Sequence, residues 1–277
     1  MKRKILILGL LMPFLFSSVV YAVDEGFPGR SEYPDVFVYE KSQLFDNFKD
    51  VVLVDTRSKY EYETLRIKGA VNIPVSSKDF GTMVKQIRAT TNKPIVFYCN
   101  GRTCYKSYRA GREANNLNIE NTYAYDAGIF EWAKTYPDHA ILLGKSPVNA
   151  HDIIPSRKYT SHLLEPEKFS EKAYQMRGSS LVIDIRDRYQ RAGTGLFPAK
   201  ERWVSLDNQK QLQQYIKLAK AQNKTLFIYD EVGKQVRWFQ YALEKANVKN
   251  YYFMKKGARH YYDDLMRTQL SMSFHQQ

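Results

Sequence analysis

The chain contains one pattern twice, and a duplicated strand-and-loop pattern leaves few architectures open. Val52-Leu53-Val54-Asp55-Thr56-Arg57-Ser58-Lys59-Tyr60 returns as Leu181-Val182-Ile183-Asp184-Ile185-Arg186-Asp187-Arg188-Tyr189, with Asp184 standing 129 positions after Asp55. The apolar run Ile95-Val96-Phe97-Tyr98-Cys99 returns as Leu226-Phe227-Ile228-Tyr229-Asp230, so that Asp230 takes the place of Cys99 at an offset of 131. A third pair, Asn121 to Gly128 and Asn250 to Gly257, again lies 129 apart. Three matches in one order at nearly one spacing define two copies of a single domain.

Within each copy, short and almost wholly apolar strands alternate with segments of helical periodicity. In the first copy, 51–55 and 94–98 read as buried strands, and 80–89 and 105–117 as helices; in the second, 209–222 and 232–245 fill the helical places. Continuous apolar strands alternating with helices predict an α/β fold, each domain a parallel sheet covered by helices on both faces. The expected boundaries are 33–142 and 159–271, joined by a linker at 143–158 rich in proline and polar residues and without a clean period. Residues 25–34 are expected to be irregular, and the tail beyond Met266 to fray.

The amino terminus predicts an address. Lys2, Arg3 and Lys4 precede an uncharged run from Ile5 through Val20 that ends in Val20-Tyr21-Ala22. This is the arrangement of a secretory signal peptide over 1–22, with cleavage before Val23 and no cysteine nearby for lipid attachment. No other long apolar stretch follows, so the mature chain is expected to be a periplasmic protein without a membrane span. The formal charge is +13, and removing the three cations of the leader leaves +10, an excess that favours small anions or acidic partners. Basic residues are dispersed among tyrosines and glutamates, not gathered in a stripe, which with the expected location argues against nucleic acid.

Both cysteines of the chain lie in the loop after one apolar strand, Cys99-Asn100-Gly101-Arg102-Thr103-Cys104-Tyr105-Lys106-Ser107. A thiolate is stabilised by helix-terminal amides and by nearby cations. Gly101 allows a tight curl, Arg102 and Lys106 supply charge, and a helix starting near Ser107 directs its first N–H groups at the loop. On the loop alone Cys99 has three readings: a nucleophile, one half of a disulfide with Cys104, or a small buried core residue.

The first copy resembles the rhodanese family of sulfurtransferases. The resemblance is carried by Val54-Asp55-Thr56-Arg57, by Ile67-Lys68-Gly69-Ala70-Val71-Asn72-Ile73-Pro74, by Cys99 at its strand end and by Gly128-Ile129-Phe130-Glu131-Trp132. The second copy resembles the family more weakly, keeping Asp184 and Arg186 but carrying Asp230 at the nucleophile's place, only a loose match at Phe197-Pro198-Ala199-Lys200, and Tyr261 as the closing aromatic. The resemblance implies two tandem rhodanese-like domains around five-stranded parallel sheets, the first catalytic and the second degenerate because a carboxylate holds no persulfide. It further implies that Cys99 carries sulfane sulfur from an anionic donor such as thiosulfate to a thiol or protein acceptor, without cofactor. Loop amides from Asn100 through Lys106 would steady the sulfur, with Asn100, Gly101, Arg102, Thr103 and Lys106 as the substrate-binding residues. Cys104 is left three roles: resolving the Cys99 intermediate, accepting its sulfur, or lining the loop. The family's usual loop runs Cys-x-x-Gly-x-Arg-Ser; here glycine comes earlier, Cys104 is added, Ser107 stands two places later, and Arg66 replaces a frequent histidine.

Other chemistries fit less well. A tyrosine phosphatase cradle needs Arg six residues after the nucleophile, where this chain has Tyr105. The two cysteines lack the Cys-x-x-Cys spacing of thioredoxin-like proteins, though a dithiol redox protein stays open. His139, His151, His162, His260 and His275 show no paired metal spacing, so no metal is expected. Twenty-one tyrosines and a silent second domain also suit a non-catalytic docking module. Asp55 and Arg57 read as a buried structural pair, and Trp132 as core.

Overall fold

A computed structural model of the protein describes residues 26–176, 178–191 and 195–274; the predicted leader lies outside them. Among these residues the strands of the first half are β1 (Val52–Asp55), β2 (Leu65–Ile67), β3 (Val71–Asn72), β4 (Ile95–Tyr98), β5 (Thr122–Tyr125) and β6 (Ala140–Leu142). Those of the second are β7 (Leu163–Leu164), β8 (Ser180–Asp184), β9 (Glu201–Trp203), β10 (Thr225–Tyr229) and β11 (Tyr251–Met254). One parallel sheet has the order β3-β1-β4-β5, the other β7-β11-β10-β8-β9. The first sheet is one strand short of the five expected, but a parallel bridge from Val38 to Ala124 occupies the edge that β7 holds in the second. The duplication seen in the sequence is therefore a duplication of sheet topology. β2 and β6 pair separately and antiparallel.

Alternation along the central strands sends side chains to both faces. Ile95 and Phe97 join Phe80, Val84, Ala110 and Ala114 on one face of the first sheet, while Val96 and Tyr98 join Ile129, Trp132 and Ala133 on the other. The second sheet does the same, with Phe227 and Tyr229 facing Phe169 and Leu226 and Ile228 facing Leu212, Ile216 and Phe239. The face carrying Trp132 and the face carrying Phe239 belong to one continuous core that spans both halves.

The residues at 143–158, read from the sequence as a linker, form a packed seam. They contain a short 3₁₀ turn at Ala150–Asp152 and the start of a helix at Ser156–Thr160, and they bury Val148, Ile153 and Ile154. The backbone N–H of Ile154 donates to the Tyr241 hydroxyl at 3.2 Å. Apolar residues at 148, 153 and 154 have no regular period, yet they close the gap between the two sheets.

Other helices fall within a few residues of expectation. Phe80–Thr90, Lys106–Asn116, Gln209–Ala221 and Val236–Lys245 are helical, and the last starts four residues later than periodicity indicates. A helical turn forms at Gly29–Glu32 within the segment expected to be irregular, and the last helix, Gly257–Phe274, continues past Met266. No helix among the described residues is long and apolar enough to cross a membrane.

Trp238 is the main contact across the seam. Its ring stacks on Phe130 of the first half at a centroid separation of 5.1 Å, and the Arg57 guanidinium lies over it at 5.0 Å. Replacing Trp238 with Ala is expected to lower stability by about 3–5 kcal/mol, measured as a fall in the midpoint of urea unfolding.

Candidate functional site

The loop between β4 and the helix Lys106–Asn116 lies where ligands bind in parallel sheets, outside the carboxyl ends of the strands. It is held from below by a buried ion pair. Arg57 donates from Nε to Asp55 Oδ1 at 2.8 Å and from Nη2 to Asp55 Oδ2 at 2.5 Å, with both side chains fully buried. The same guanidinium reaches the Leu65 carbonyl at 2.6 Å and Asn100 Oδ1 at 3.2 Å, so the expected structural pair also anchors the loop.

Glu61 completes this support and was missed by the sequence reading. It closes a capping box with Ser58, whose N–H donates to Glu61 Oε2 at 3.0 Å. The Ser-x-x-Glu spacing was visible in the sequence, but its second duty was not. The Asn100 amide donates to Glu61 Oε1 at 3.0 Å, and Lys106 Nζ lies 3.3 Å from Oε2. Burial works to raise the Glu61 pKa, but Lys106, Arg57 and the hydrogen bonds from Asn100 and Ser58 outweigh it and hold the group at about 2.

A closing glycine lets the loop approach the next helix. Gly128 has φ +73°, and a Cβ there would stand 2.3 Å from Gly101 N and 2.5 Å from its Cα. Gly257 is its counterpart, with φ +72° and the backbone of Asp230 and Glu231 within 2.6 Å of the same imagined atom. The Ile129 N–H donates to the Cys99 carbonyl at 3.0 Å.

The two cysteines differ in burial. Cys99 is fully buried; its Sγ donates to the Cys104 carbonyl at 3.0 Å and lies 3.5 Å from Ser107 Oγ. Burial, reinforced by hydrogen bonding to Cys104, pushes the Cys99 thiol well above its usual range. Cys104, by contrast, is half-buried and lines a cleft. The neighbouring Cys99 side chain lowers the Cys104 pKa and, against burial, the Lys106 and Asn100 amides and the Lys106 charge assist in bringing it to about 6.

The cleft has a volume of about 640 Å³ and runs between the two halves. From the first half it is lined by Glu61, Asn100, Thr103, Cys104, Tyr105, Lys106, Arg109 and Phe130, and from the second by residues including Tyr159, Lys234, Arg237 and Trp238. Gly101 and Arg102, expected to bind substrate, do not line it. Gly101 is spent on the contact with Gly128, and Arg102 turns away, paired with Glu131 at 3.0 Å and lying over the Phe27 ring at 4.5 Å. The second half's contribution had no sequence marker, because it depends on how the halves pack.

The second copy's loop is closed by its own anion. The Asp230 carboxylate accepts N–H bonds from Val232 at 3.0 Å and Val236 at 2.9 Å, and from Gly233 and Gln235. Burial still raises the Asp230 pKa despite these four amides. Within this carboxylate-bound turn Gly233 takes a positive φ of 71°, and the helix begins after it, at Val236. Among the described residues, no group of three or more His, Cys, Asp or Glu side chains is placed to hold a metal ion.

Residues 38–135 match the family model of the Rhodanese-like domain. The chain is 31% identical over 84 residues to a tRNA uridine(34) hydroxylase of Cytophaga hutchinsonii, a match covering 30% of this chain and 26% of that protein. It is 41% identical over 63 residues to an uncharacterized 16.5 kDa protein of Synechococcus elongatus, covering 22% and 42%. A thiosulfate sulfurtransferase structure from Pseudomonas aeruginosa aligns with 80% of this chain and 41% of its own at 14% identity and a TM-score of 0.36. The chain thus spans about a quarter of the length of the hydroxylase it matches. Its first half is a rhodanese-like domain, as the motifs around Asp55, Gly69, Cys99 and Gly128 predict.

Glu61 makes acid stability a direct test of the loop's support. Its pKa falls from 4.5 to about 2 on folding, so its contribution is present above pH 4.5 and is lost as pH falls from there towards 2. Glu61→Gln is expected to cost about 3 kcal/mol at neutral pH, a gap from wild type that narrows through that window, as read by urea unfolding at a series of pH values.

Proposed function

We propose that the protein is an exported sulfurtransferase that takes sulfane sulfur from a small anionic donor such as thiosulfate. It holds that sulfur as a persulfide on the Cys99/Cys104 pair and passes it to a thiol or protein acceptor. The observation that carries this reading is a free thiol, Cys104, lining the cleft beside Lys106 and in contact with Cys99, its pKa lowered by those neighbours. A thiolate so placed is a nucleophile at neutral pH.

Among the charged side chains of the cleft, four cations stand against three carboxyl groups, Glu61, Asp230 and Glu231. Lys106 and Arg109 approach from the first half and Lys234 and Arg237 from the second, and the aromatic faces of Tyr105, Phe130 and Trp238 limit water between them. The Arg237 guanidinium is held over Phe130 at 4.7 Å and Tyr159 at 5.6 Å, which fixes one cation at the seam. Positioned cations orient an oxyanion and balance charge that moves onto the leaving group. The periplasmic address rests on the leader alone, and membership of the rhodanese-like family supports sulfur transfer as the reaction class.

A second reading, a dithiol redox protein, is favoured by the hydrogen-bonded contact between Cys99 and Cys104. Turnover separates them. With thiosulfate as donor and cyanide as acceptor, the wild-type protein is expected to produce thiocyanate, and the doubly substituted Cys99→Ser, Cys104→Ser protein to produce none above background. Arg237→Gln is expected to raise KM for thiosulfate several-fold with a smaller change in kcat. A purified, folded wild type that takes no sulfur from thiosulfate or any other anionic sulfane donor overturns the sulfurtransferase reading.

A further inference from the structure

Resting on that sulfurtransferase reading, we propose that Cys104 is the residue that attacks the sulfur donor, and that Cys99, beneath it, resolves the persulfide by forming a Cys99–Cys104 disulfide.

Access decides the first role. A donor in the cleft meets Cys104, which lines it, whereas Cys99 is fully buried and absent from the lining. The loop amides are consistent with this. In the second copy the loop N–H groups rest on one anion, the Asp230 carboxylate, one residue past β10. In the first copy the residue one past β4 is Cys99, and the amides are shared, those of Asn100 and Lys106 acting on the Cys104 sulfur and that of Ser107 on the Cys99 sulfur. The longer first loop thus brings a second sulfur, five positions further along the chain, to these amides on the cleft side, while Cys99 donates to the Cys104 carbonyl and lies against Ser107 Oγ.

The second role follows from this stacking. The Cys104 thiolate attacks the outer sulfur of thiosulfate; a sulfur–sulfur bond forms, the donor's own sulfur–sulfur bond breaks, and sulfite leaves with its electron pair. Cys104 then carries a persulfide anion. Cys99 attacks the inner sulfur of that persulfide and passes its proton to the outer one, so that a Cys99–Cys104 bond forms and hydrosulfide leaves. Two electrons have moved from the cysteine pair onto the transferred sulfur. An external dithiol protein reductant restores the pair by thiol–disulfide exchange and is itself left as a disulfide. The acceptor side of the reaction is thus a dithiol donor of electrons, and the sulfur product is hydrosulfide.

Intact mass under anaerobic conditions tests both roles on reduced full-length protein treated with thiosulfate. The wild type is expected to become two hydrogens lighter, with sulfite and hydrosulfide released in one-to-one ratio. Cys99→Ser, and Cys99→Ala as a second replacement of the buried residue, are expected to gain the mass of one sulfur atom on Cys104. Cys104→Ser is expected to stay unchanged. Brief alkylation of the reduced wild type, which needs no variant, is expected to modify Cys104 before Cys99, with a half-maximum near pH 6. A sulfur atom gained by Cys104→Ser, or alkylation of Cys99 first, overturns the assignment of the attacking residue. A wild type that keeps one added sulfur and releases no hydrosulfide overturns the resolving step. No mass change in any protein with thiosulfate, and none with other sulfane donors, overturns the sulfurtransferase reading itself.

Discussion

Backbone N–H groups in the loop after β10 converge on one point, and that point must hold an acceptor. Buried donors left unpaired are costly, so a loop that gathers several of them requires an acceptor at its centre. The second half supplies that acceptor permanently as the Asp230 carboxylate, bound by four amides and closed to chemistry. In the first half the amides of Asn100, Lys106 and Ser107 face the two cysteine sulfurs instead. The same backbone device is thus closed by a carboxylate in one copy and faces a pair of free thiols in the other.

Much of the surrounding structure keeps the first loop in that shape. Asp55 and Arg57 are buried as a pair, and removing one partner of such a pair leaves an uncompensated charge. Arg57 and Glu61 grip the two ends of the Asn100 amide, so the residue that begins the loop has no rotameric freedom. Gly128 then admits the loop backbone at a distance no side chain would permit. These restraints come from three separate stretches of chain, and their convergence explains why the Asp-x-Arg, loop and closing-glycine motifs recur together.

The second half does more than repeat the topology of the first. Its helix Val236–Lys245 carries Arg237 and Trp238 to the cleft, and Trp238 packs against both Phe130 and the Arg57 guanidinium. One wall of the site and part of the core are shared, which couples the integrity of the first half's loop to the presence of the second.

The duplicated strands, the alternation of strands and helices and the closing glycines were legible in the sequence, because apolar runs of four or five residues and a required positive φ are local properties. The anion-binding character of the loop was legible too, since strand end, glycine and helix start follow one another along the chain. Which cysteine lines the cleft was not legible, nor was the turning of Arg102 to Glu131, the grip of Glu61 on Asn100, or the approach of Arg237 across the seam. Those depend on distances between residues far apart in the chain, and the burial that separates the Cys99 and Cys104 thiols exists only once both sheets and the seam at 148–154 have packed. Local stereochemistry and hydrophobic period decided the elements and their order; three-dimensional packing decided solvent access and electrostatic environment, and these determine which sulfur faces the cleft.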